Sequence, residues 1–509
     1  MSTRAEEVRR RMARARSERF REAREILSEV WRSLMGKTGL VLIVALIAIS
    51  IYALIVMPPN IVELWNNPKA WEDNPSTVPP AWIADFGKPV APHVVKTVGP
   101  SVQEITPGKM IEGVLPVAGF YQVYSIQYDL RHPAFPQDVI VRIVGAKAAP
   151  VGGTQPVVTA YMLVKRPDGL VVLVNSPTPQ TLQDLLAAQV IRLDPRQTAA
   201  ALASAFNMSL TAAQAQPVRL LFGKPVGKEV KPLLGTYKIE LIVMYGGVDP
   251  NAMQQAVNNH VSGIWRVKMI VKGSAYGLMG TDNVGHDLWL GLLFGFPAAL
   301  AVGFFGAVTA ALIGMVMGVI SGYYGGWVDE LIQRTVDVLG NIPLLPILVL
   351  IGVIVQEWNI SPWARLFIII GVLVLVSWGG LTIIVRSMVL SIKSEPYIEA
   401  ARAVGASNSR IMFRHIVPQI LPYVFANLVF SVPAAILTEA GLSILGIRHG
   451  LPTWGAILSD AEAYVRSGGS YAVWWWILPP GLLIGVTSVA FVFLGLALET
   501  VVEPRLRRR

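Results

Sequence analysis

Residues 399–418 form a basic segment between two apolar runs, and their types suit a docking element rather than a catalytic centre. The segment opens with Glu-Ala-Ala, and its two alanines would give a short helix a smooth, close-packing surface. Gly405 permits a backbone turn that a Cβ would resist. A second, amphipathic helix is expected to follow, in which Ile411 and Phe413 can bury against a partner or the flanking runs. The segment is therefore predicted to be a rigid lever with a knob at its tip, although its composition alone would also fit a loop that merely keeps positive charge inside.

Elsewhere the sequence offers no catalytic or metal-binding constellation. No two of the six histidines stand at metal-ligand spacing, and neither His-Glu-x-x-His nor Gly-x-Ser-x-Gly occurs. The lack of cysteine excludes disulfides, thiol catalysis and thiolate metal sites. Gly36-Lys37-Thr38 looks like the end of a phosphate-binding loop, but the required upstream glycine position holds Trp31. The chain is therefore predicted to be neither an enzyme nor an ATP-binding protein.

The elements that must position the 399–418 segment are membrane spans. Of the 509 residues, 53% are hydrophobic and 15% are charged, whereas soluble proteins carry about 25% charged residues. This deficit and the long uncharged runs argue against a cytosolic enzyme or a disordered chain. The net charge of +10 is accounted for by loops and tails on the cytoplasmic side, so no nucleic-acid partner is expected. The predicted location is the plasma membrane, with several passes through the lipid bilayer.

Six spans are predicted, because a helix needs about 20 apolar residues to cross the hydrocarbon core. Residues 288–328 carry no charge, and Gly295 and Pro297 suggest a short interfacial helix at 287–296 before a span that ends near Gly322. The other five spans are predicted at 39–57, 338–355, 366–385, 416–437 and 477–498. Basic residues then concentrate in 1–38, 386–415 and 499–509, so the positive-inside rule places both termini in the cytoplasm.

Residues 58–285 differ from the rest of the chain, since they are polar, proline-rich and alternate in short runs. Their β-branched and aromatic stretches predict strands at 120–128, 139–144, 157–165, 170–175, 237–245 and 265–271. A hairpin turn is predicted at Arg166-Pro167-Asp168-Gly169, and helices at 181–191, 195–205 and 249–261. The segment is predicted to be an extracytoplasmic α+β domain with a mainly antiparallel sheet.

The predicted organisation follows from these segments in chain order. A cytoplasmic basic helix (1–38) and a first span (39–57) precede the extracytoplasmic domain (58–285). A core of five further spans (286–500) contains a cytoplasmic loop at 389–416, and a basic cytoplasmic tail (501–509) ends the sequence.

The spacing within the 399–418 segment resembles the EAA loop of binding-protein-dependent ABC importer permeases. Glu399-Ala400-Ala401 is followed by three residues, Gly405 and, thirteen residues further on, Pro418. Pro396-Tyr397 and the run Ala-Arg-Ala-x-Gly-Ala-Ser look like the C-type permease of dipeptide and oligopeptide importers. Stretches at 280–287, 325–330, 439–446, 452–455 and 503–507 are also similar to the family, although His286 stands where the family usually has arginine. Residues 58–279 depart from it, because the family's first outer loop is usually much shorter.

The resemblance implies an α-helical polytopic membrane protein, a type I ABC importer permease with six transmembrane helices and an inserted α+β extracytoplasmic domain. With a second permease, as a heterodimer, it would form the path for dipeptides or oligopeptides, and oligosaccharides are an alternative cargo. The chain itself would hold no cofactor and no metal. Two separate ATP-binding subunits would bind ATP and magnesium, and an extracytoplasmic substrate-binding protein would deliver the solute. The residues implied in coupling to the ATPase are Glu399, Ala400, Ala401, Arg402, Gly405, Ala406, Ser407, Arg410, Phe413 and Arg414.

A function of another class also fits the residues, namely a membrane-anchored solute receptor whose outer domain senses ligand and whose inner loops signal. A receptor needs no docking loop at this spacing, so co-purification with ATP-binding subunits would separate the two hypotheses. The role of 58–285 stays open between docking the binding protein, guiding solute and capping the complex.

Overall fold

The computed structural model describes residues 28–502 apart from Lys228, and the chain divides into two compact units. The inserted domain spans Asn67–Trp289, whereas the sequence placed the insertion at 58–285. The helical unit comprises the described residues up to Asn66 and from Leu290 onwards. Most of the predicted basic N-terminal helix (residues 1–27) and most of the basic tail (503–509) lie outside the described residues.

Two helices, α1 (Leu34–Val56) and α2 (Ile61–Trp65), precede the inserted domain. The strands of that domain are β1 (Val94–Val98), β2 (Val102–Ile111), β3 (Leu115–Leu130), β4 (Asp138–Lys147), β5 (Val157–Lys165), β6 (Val171–Leu173), β7 (Gln180–Thr181), β8 (Val190–Arg192), β9 (Gly223–Val226), β10 (Glu229–Pro232), β11 (Gly235–Gly246) and β12 (Gly263–Lys272). One sheet has the order β2-β3-β11-β5-β6 with β7 on β5, and a second has the order β1-β12-β4-β8. All of these described pairs are antiparallel, and β9 and β10 form a separate hairpin.

The core of the inserted domain lies against the long central strands β3 and β11. Tyr124, Tyr128 and Tyr237 are fully buried there, because alternate residues of a strand point to the same face of the sheet. The helices of the domain are α3 (Leu182–Ala188), α4 (Pro195–Phe206), α5 (Leu210–Gln214), α6 (Pro217–Leu221) and α7 (Pro250–Asn258), with 3-10 turns at Pro68–Ala70 and Ala81–Phe86. The predicted turn at Arg166–Gly169 is present, with Gly169 at φ +87°. The short strands β1 and β7–β10 and the edge strand β2 were not predicted.

Within the described residues, the helical unit continues with seven long helices and two short ones. They are α8 (Leu288–Tyr324), α9 (Gly326–Asn341), α10 (Leu344–Glu357), α11 (Pro362–Lys393), α12 (Pro396–Ala403), α13 (Asn408–Ile411), α14 (Val417–Ile444), α15 (Trp454–Arg466) and α16 (Trp474–Val502). A π-helical turn, Met412–Ile416, joins α13 to α14. The helix α8 begins in the last two residues of the inserted domain.

The predicted interfacial helix at 287–296 is wrong, because α8 runs unbroken through Gly295 and Pro297. The reason lies in its packing. Trp454 donates a hydrogen bond from Nε1 to the carbonyl of Leu292 at 2.8 Å, and a Cβ on Gly295 would lie 2.0 Å from the same nitrogen. Neighbouring helices commonly stabilise a proline-containing membrane helix in this way. This part of α8 is therefore enclosed by protein instead of lying along a membrane surface.

The predicted single span at 338–355 is broken in the structure. α9 and α10 meet at an angle of 76°, and Ile342 between them is extended, with φ −74° and ψ 125°. Pro343 explains the break, since a residue before proline is displaced from the helical region. Five described helices are long and apolar enough to cross a membrane, and six spans result only if the α9–α10 pair is counted as one.

Candidate functional site

The break at Gly405 ends α12 in a specific hydrogen-bonded turn. Gly405 has φ +86°, the N–H of Ala406 donates to the carbonyl of Ala401 at 3.1 Å, and the N–H of Gly405 donates to Arg402 at 2.9 Å. This pair of bonds is a Schellman motif with glycine at the left-handed position. A Cβ on Gly405 would meet nothing within 4 Å, so the requirement for glycine is conformational and not steric. The predicted turn at Gly405 is confirmed.

Buried apolar side chains attach the two helices that flank this turn to the rest of the helical unit. Ile398 of α12 and Ile411 of α13 are both 0% exposed. They belong to a cluster that also contains Val389 of α11 and Tyr323 of α8. Because each short helix has a buried isoleucine in the same cluster, the segment is held rigidly on the ends of α8 and α11. Phe413 behaves differently from Ile411, since 65% of its surface is exposed.

The opposite side of the segment is open to solvent. Val404, at the end of α12, is 90% exposed. Of the residues implied in coupling, Ala401 and Ala406 are half-buried, and the exposed ones are Glu399, Ala400, Arg402, Gly405, Ser407, Arg410, Phe413 and Arg414. Ser407 also caps α13, accepting a hydrogen bond from the N–H of Arg410 at 3.4 Å. The structure thus brings the ten residues together in one mostly exposed segment, residues 396–418, which we call the 396–418 loop.

Polar contacts that the sequence did not predict tie this loop and the neighbouring end of α11 to α8. The hydroxyl of Tyr323 donates to Oδ1 of Asn408 at 2.9 Å, and Nζ of Lys393 donates to the carbonyl of Tyr323 at 2.5 Å. Nearby, both Nε and Nη2 of Arg386 reach the carboxylate of Asp329 at 2.5 Å. Such a bidentate pair fixes orientation as well as distance. The end of α8 is therefore linked to the loop, and α11 to α9. Asp329 stood in a segment with family resemblance, but nothing in the sequence paired it with Arg386.

A stripe of glycines brings α8 and α11 unusually close together. Cβ atoms on Gly314, Gly318 and Gly322 would each lie 2.8 Å from a backbone oxygen of α11. Glycine at every fourth position of a membrane helix allows this approach of two backbones. The two helices that support the 396–418 loop therefore form one closely packed pair.

A buried polar network explains another segment with family resemblance. Oε1 of Glu439 accepts hydrogen bonds from Ser443 at 3.1 Å and Thr453 at 2.8 Å, and lies 2.9 Å from Nε2 of His449. The N–H of Leu451 donates to Nδ1 of His449 at 3.1 Å, so Nε2 is the ring nitrogen that bears the hydrogen and donates it in a hydrogen bond to Glu439. A carboxylate this deeply buried requires such partners, and the network fixes α14 to the start of α15.

A cavity of about 380 Å³ lies among α8, α10, α11 and α14. Its lining is uncharged, and its polar members are Ser377, Asn427, Ser431 and Thr438. The three hydroxyls donate to carbonyls of their own helices at 2.6 to 2.9 Å. Among residues 28–502 without Lys228, no group of three or more His, Asp or Glu side chains is placed to hold a metal ion.

Comparison with known proteins identifies the family. A family model described as "binding-protein-dependent transport system inner membrane component" matches residues 310–508. The oligopeptide transport system permease protein OppC of Bacillus subtilis (strain 168) is 33% identical over 231 residues, which are 45% of this chain and 72% of OppC. The dipeptide transport system permease protein DppC of the same organism is 33% identical over 237 residues, covering 46% and 71% of the two chains. A solved MetNI methionine ABC transporter chain aligns with 44% of this chain and 98% of its own at a TM-score of 0.34 and 21% identity. The chain therefore belongs to the family of binding-protein-dependent transport system inner membrane components, and is a multi-pass permease subunit of an ABC importer in the plasma membrane.

Proposed function

We propose that this chain is one of two different permease subunits of an importer for dipeptides or oligopeptides. The names of its relatives in Bacillus subtilis support the peptide cargo. A substrate-binding protein outside the cell delivers the solute, and two ATP-binding subunits inside the cell bind ATP and magnesium. The termini and the 396–418 loop lie in the cytoplasm, and the inserted domain lies outside.

The observation that carries this proposal is the two-sided character of the 396–418 loop. One side is anchored by Ile398 and Ile411, which are fully buried, and the other exposes Val404 and Phe413 next to arginines. An exposed apolar tip on a rigid support is suited to insertion into a pocket of another protein. When the ATP-binding subunits close, they displace this tip. The buried side of the loop transmits the displacement to α8 and α11.

The central cavity supports a path for solute within the same bundle. Its hydroxyls and the amide of Asn427 offer hydrogen bonds without charge, which suits the polar backbone of a peptide. An uncharged lining also suits an oligosaccharide, and this observation keeps sugars as the second candidate cargo. Uptake of a labelled peptide, challenged with excess unlabelled peptide or excess oligosaccharide, separates the two candidates.

The coupling role is tested by variants of the loop in the complete importer, co-expressed with the proposed partner subunits. Gly405→Asp and Glu399→Lys are expected to abolish transport-linked ATPase activity and to leave membrane insertion intact. Gly468→Asp is the matched control, because Gly468 also ends a helix in a Schellman motif at φ +94° with open space around it. Normal coupling in both loop variants, or an equal loss in the control, would contradict the proposal.

A further inference from the structure

The inserted domain contains a cavity of about 290 Å³ beside its short edge strand β8. One wall is β8 itself, and the opposite wall is the segment 175–180. The two walls meet at one end, where the N–H of Asp194 donates to the carbonyl of Val174 at 2.7 Å. Pockets for small ligands usually measure about 300–1,000 Å³, so this cavity suits a ligand at the small end of that range.

The side chain of Asn175 fixes the wall of the cavity that faces β5. Its Oδ1 accepts a hydrogen bond from the N–H of Met162 at 2.7 Å, and its Nδ2 donates to the carbonyl of Ala160 at 2.7 Å. The strands β6 and β7 pair with β5 on either side of this position, at 163–165 and 157–158. Asn175 therefore takes the place of a strand in the gap, and the polar groups of this wall are already satisfied.

The edge of β8 that faces away from β4 offers unpaired main-chain groups. The N–H of Ile143 donates to the carbonyl of Gln189 at 2.9 Å, and the N–H of Leu193 donates to a carbonyl of β4 at 3.3 Å. Because bonded and outward-facing positions alternate along an antiparallel strand, Val190 and Arg192 direct their N–H and C=O groups away from β4. Both residues line the cavity. Within the described residues, no hydrogen bond to the protein satisfies these groups of Val190 and Arg192.

We propose that this cavity binds a short extended peptide, which adds to β8 as a further strand. An extended tripeptide places main-chain donors and acceptors at the two-residue spacing of Val190 and Arg192. Binding by strand addition depends on main-chain hydrogen bonds, and an oligosaccharide lacks this regular pattern of N–H and C=O groups. The inference rests on the proposed function only in identifying the peptide with the cargo. In this role the inserted domain guides solute, which is one of the three roles that its sequence leaves open.

Equilibrium dialysis of radiolabelled trialanine against the purified full-length chain, in detergent and without partner subunits, measures this binding. Arg192→Pro removes the outward N–H but no bond to β4, and edge strands tolerate proline at such positions. Arg192→Ala keeps the N–H and removes the same side chain, together with its ion pair to Glu72. Lys96→Pro is the matched control, since Lys96 is exposed, basic and on the edge strand β1. Its N–H points away from β12, because the N–H of Ser274 donates to the carbonyl of Ala91 and the positions alternate from there.

Arg192→Pro is expected to bind trialanine roughly two- to tenfold more weakly than Arg192→Ala, which is the effect of one lost hydrogen bond. Lys96→Pro should bind as the wild-type chain does. Trialanine methylated on both amide nitrogens should bind more weakly than trialanine, and excess maltotriose should not compete. Equal binding by the two proline variants, equal binding of the methylated peptide, or no saturable binding by the wild-type chain would each overturn the proposal.

A second pair of variants leaves β8 unchanged, so the test does not depend on the folding of the proline variant. Ala188→Trp fills the cavity from α3, whereas Ala187→Trp places the same ring on the neighbouring exposed residue, which does not line the cavity. Only Ala188→Trp should lose binding, and equal binding by both would contradict the site. Peptide uptake by the complete importer is measured separately. Uptake without binding at this cavity would overturn this inference alone, and binding without peptide uptake would overturn the proposed cargo alone.

Discussion

The close approach of α8 and α11 makes a quantitative prediction about Gly318. A Cβ at this position would lie 2.7 Å from Cβ of Val385 and 2.8 Å from the carbonyl oxygen of Thr382. Neither atom is the flexible end of a side chain, so Gly318→Ala can be accommodated only if the two helices move apart. Gly371 is the matched control, since it lies within α11 and a Cβ there would meet nothing within 4 Å.

The expected magnitude follows from two opposing effects. Overpacking of a well-packed interface costs about 1–3 kcal/mol. Replacing glycine with alanine within a helix stabilises it by about 1 kcal/mol, and this gain applies to both variants. The free energy of unfolding should therefore be about 1–3 kcal/mol lower for Gly318→Ala than for Gly371→Ala. At about 2–4 °C per kcal/mol, the unfolding temperatures should differ by roughly 2–12 °C.

Thermal unfolding of the two purified variants in the same detergent measures this difference. Gly314→Ala and Gly322→Ala should resemble Gly318→Ala, because their Cβ atoms would also lie 2.8 Å from backbone oxygens of α11. An unfolding temperature for Gly318→Ala at or above that of Gly371→Ala would refute the close backbone contact. It would also remove the reason to treat α8 and α11 as one support for the 396–418 loop.

Two further predictions concern hydrogen-bonded groups in each unit. In the inserted domain, burial alone would raise the pKa of Asp73, but hydrogen bonds from Lys268 and Arg142 lower this pKa below its ordinary value. The ionised carboxylate therefore stabilises the folded domain fully above about pH 4. This stabilisation of the fold is lost as the pH falls through the lowered pKa. Asp73→Asn should reduce the melting temperature followed by the β-sheet circular dichroism signal at pH 7, and this reduction should become smaller as the pH is lowered through the acid range; a reduction that does not change with pH would contradict this. In the helical unit, Tyr323→Phe removes a hydrogen bond worth about 0.5–1.5 kcal/mol and should lower the ratio of solute-stimulated to basal ATPase activity. Asn408→Ala should give the same loss with no further loss in the double variant, whereas additive losses would show that the two side chains act separately.

Local patterns predicted much of the fold from the sequence. The turn at Arg166–Gly169 was predictable because its residue types determine a backbone conformation within four positions. The turn at Gly405 was predictable for the same reason, and its left-handed conformation matches the expectation. Long apolar runs likewise indicated the helices α1, α11, α14 and α16, although α1 begins at Leu34 and not at residue 39.

The predictions that failed depended on contacts between distant residues. Pro297 looked like a helix boundary, but Trp454 encloses this stretch of α8 from a position far along the chain. Phe413 and Ile411 looked equally able to bury, but only Ile411 belongs to the apolar cluster. In contrast, the break between α9 and α10 had a local cause in Pro343, which the hydropathy of 338–355 concealed.

The contacts around the end of α8 determine how a movement of the 396–418 loop can spread. The loop is fixed to α8 through Tyr323 and Asn408, and α8 is fixed to α11 through backbone contact at Gly322. Packed elements of this kind switch between discrete arrangements and do not deform continuously. A displacement of the loop must therefore carry the ends of α8 and α11 together. The helix α9 is fixed to the same pair, because Arg386 of α11 binds the carboxylate of Asp329 with two hydrogen bonds.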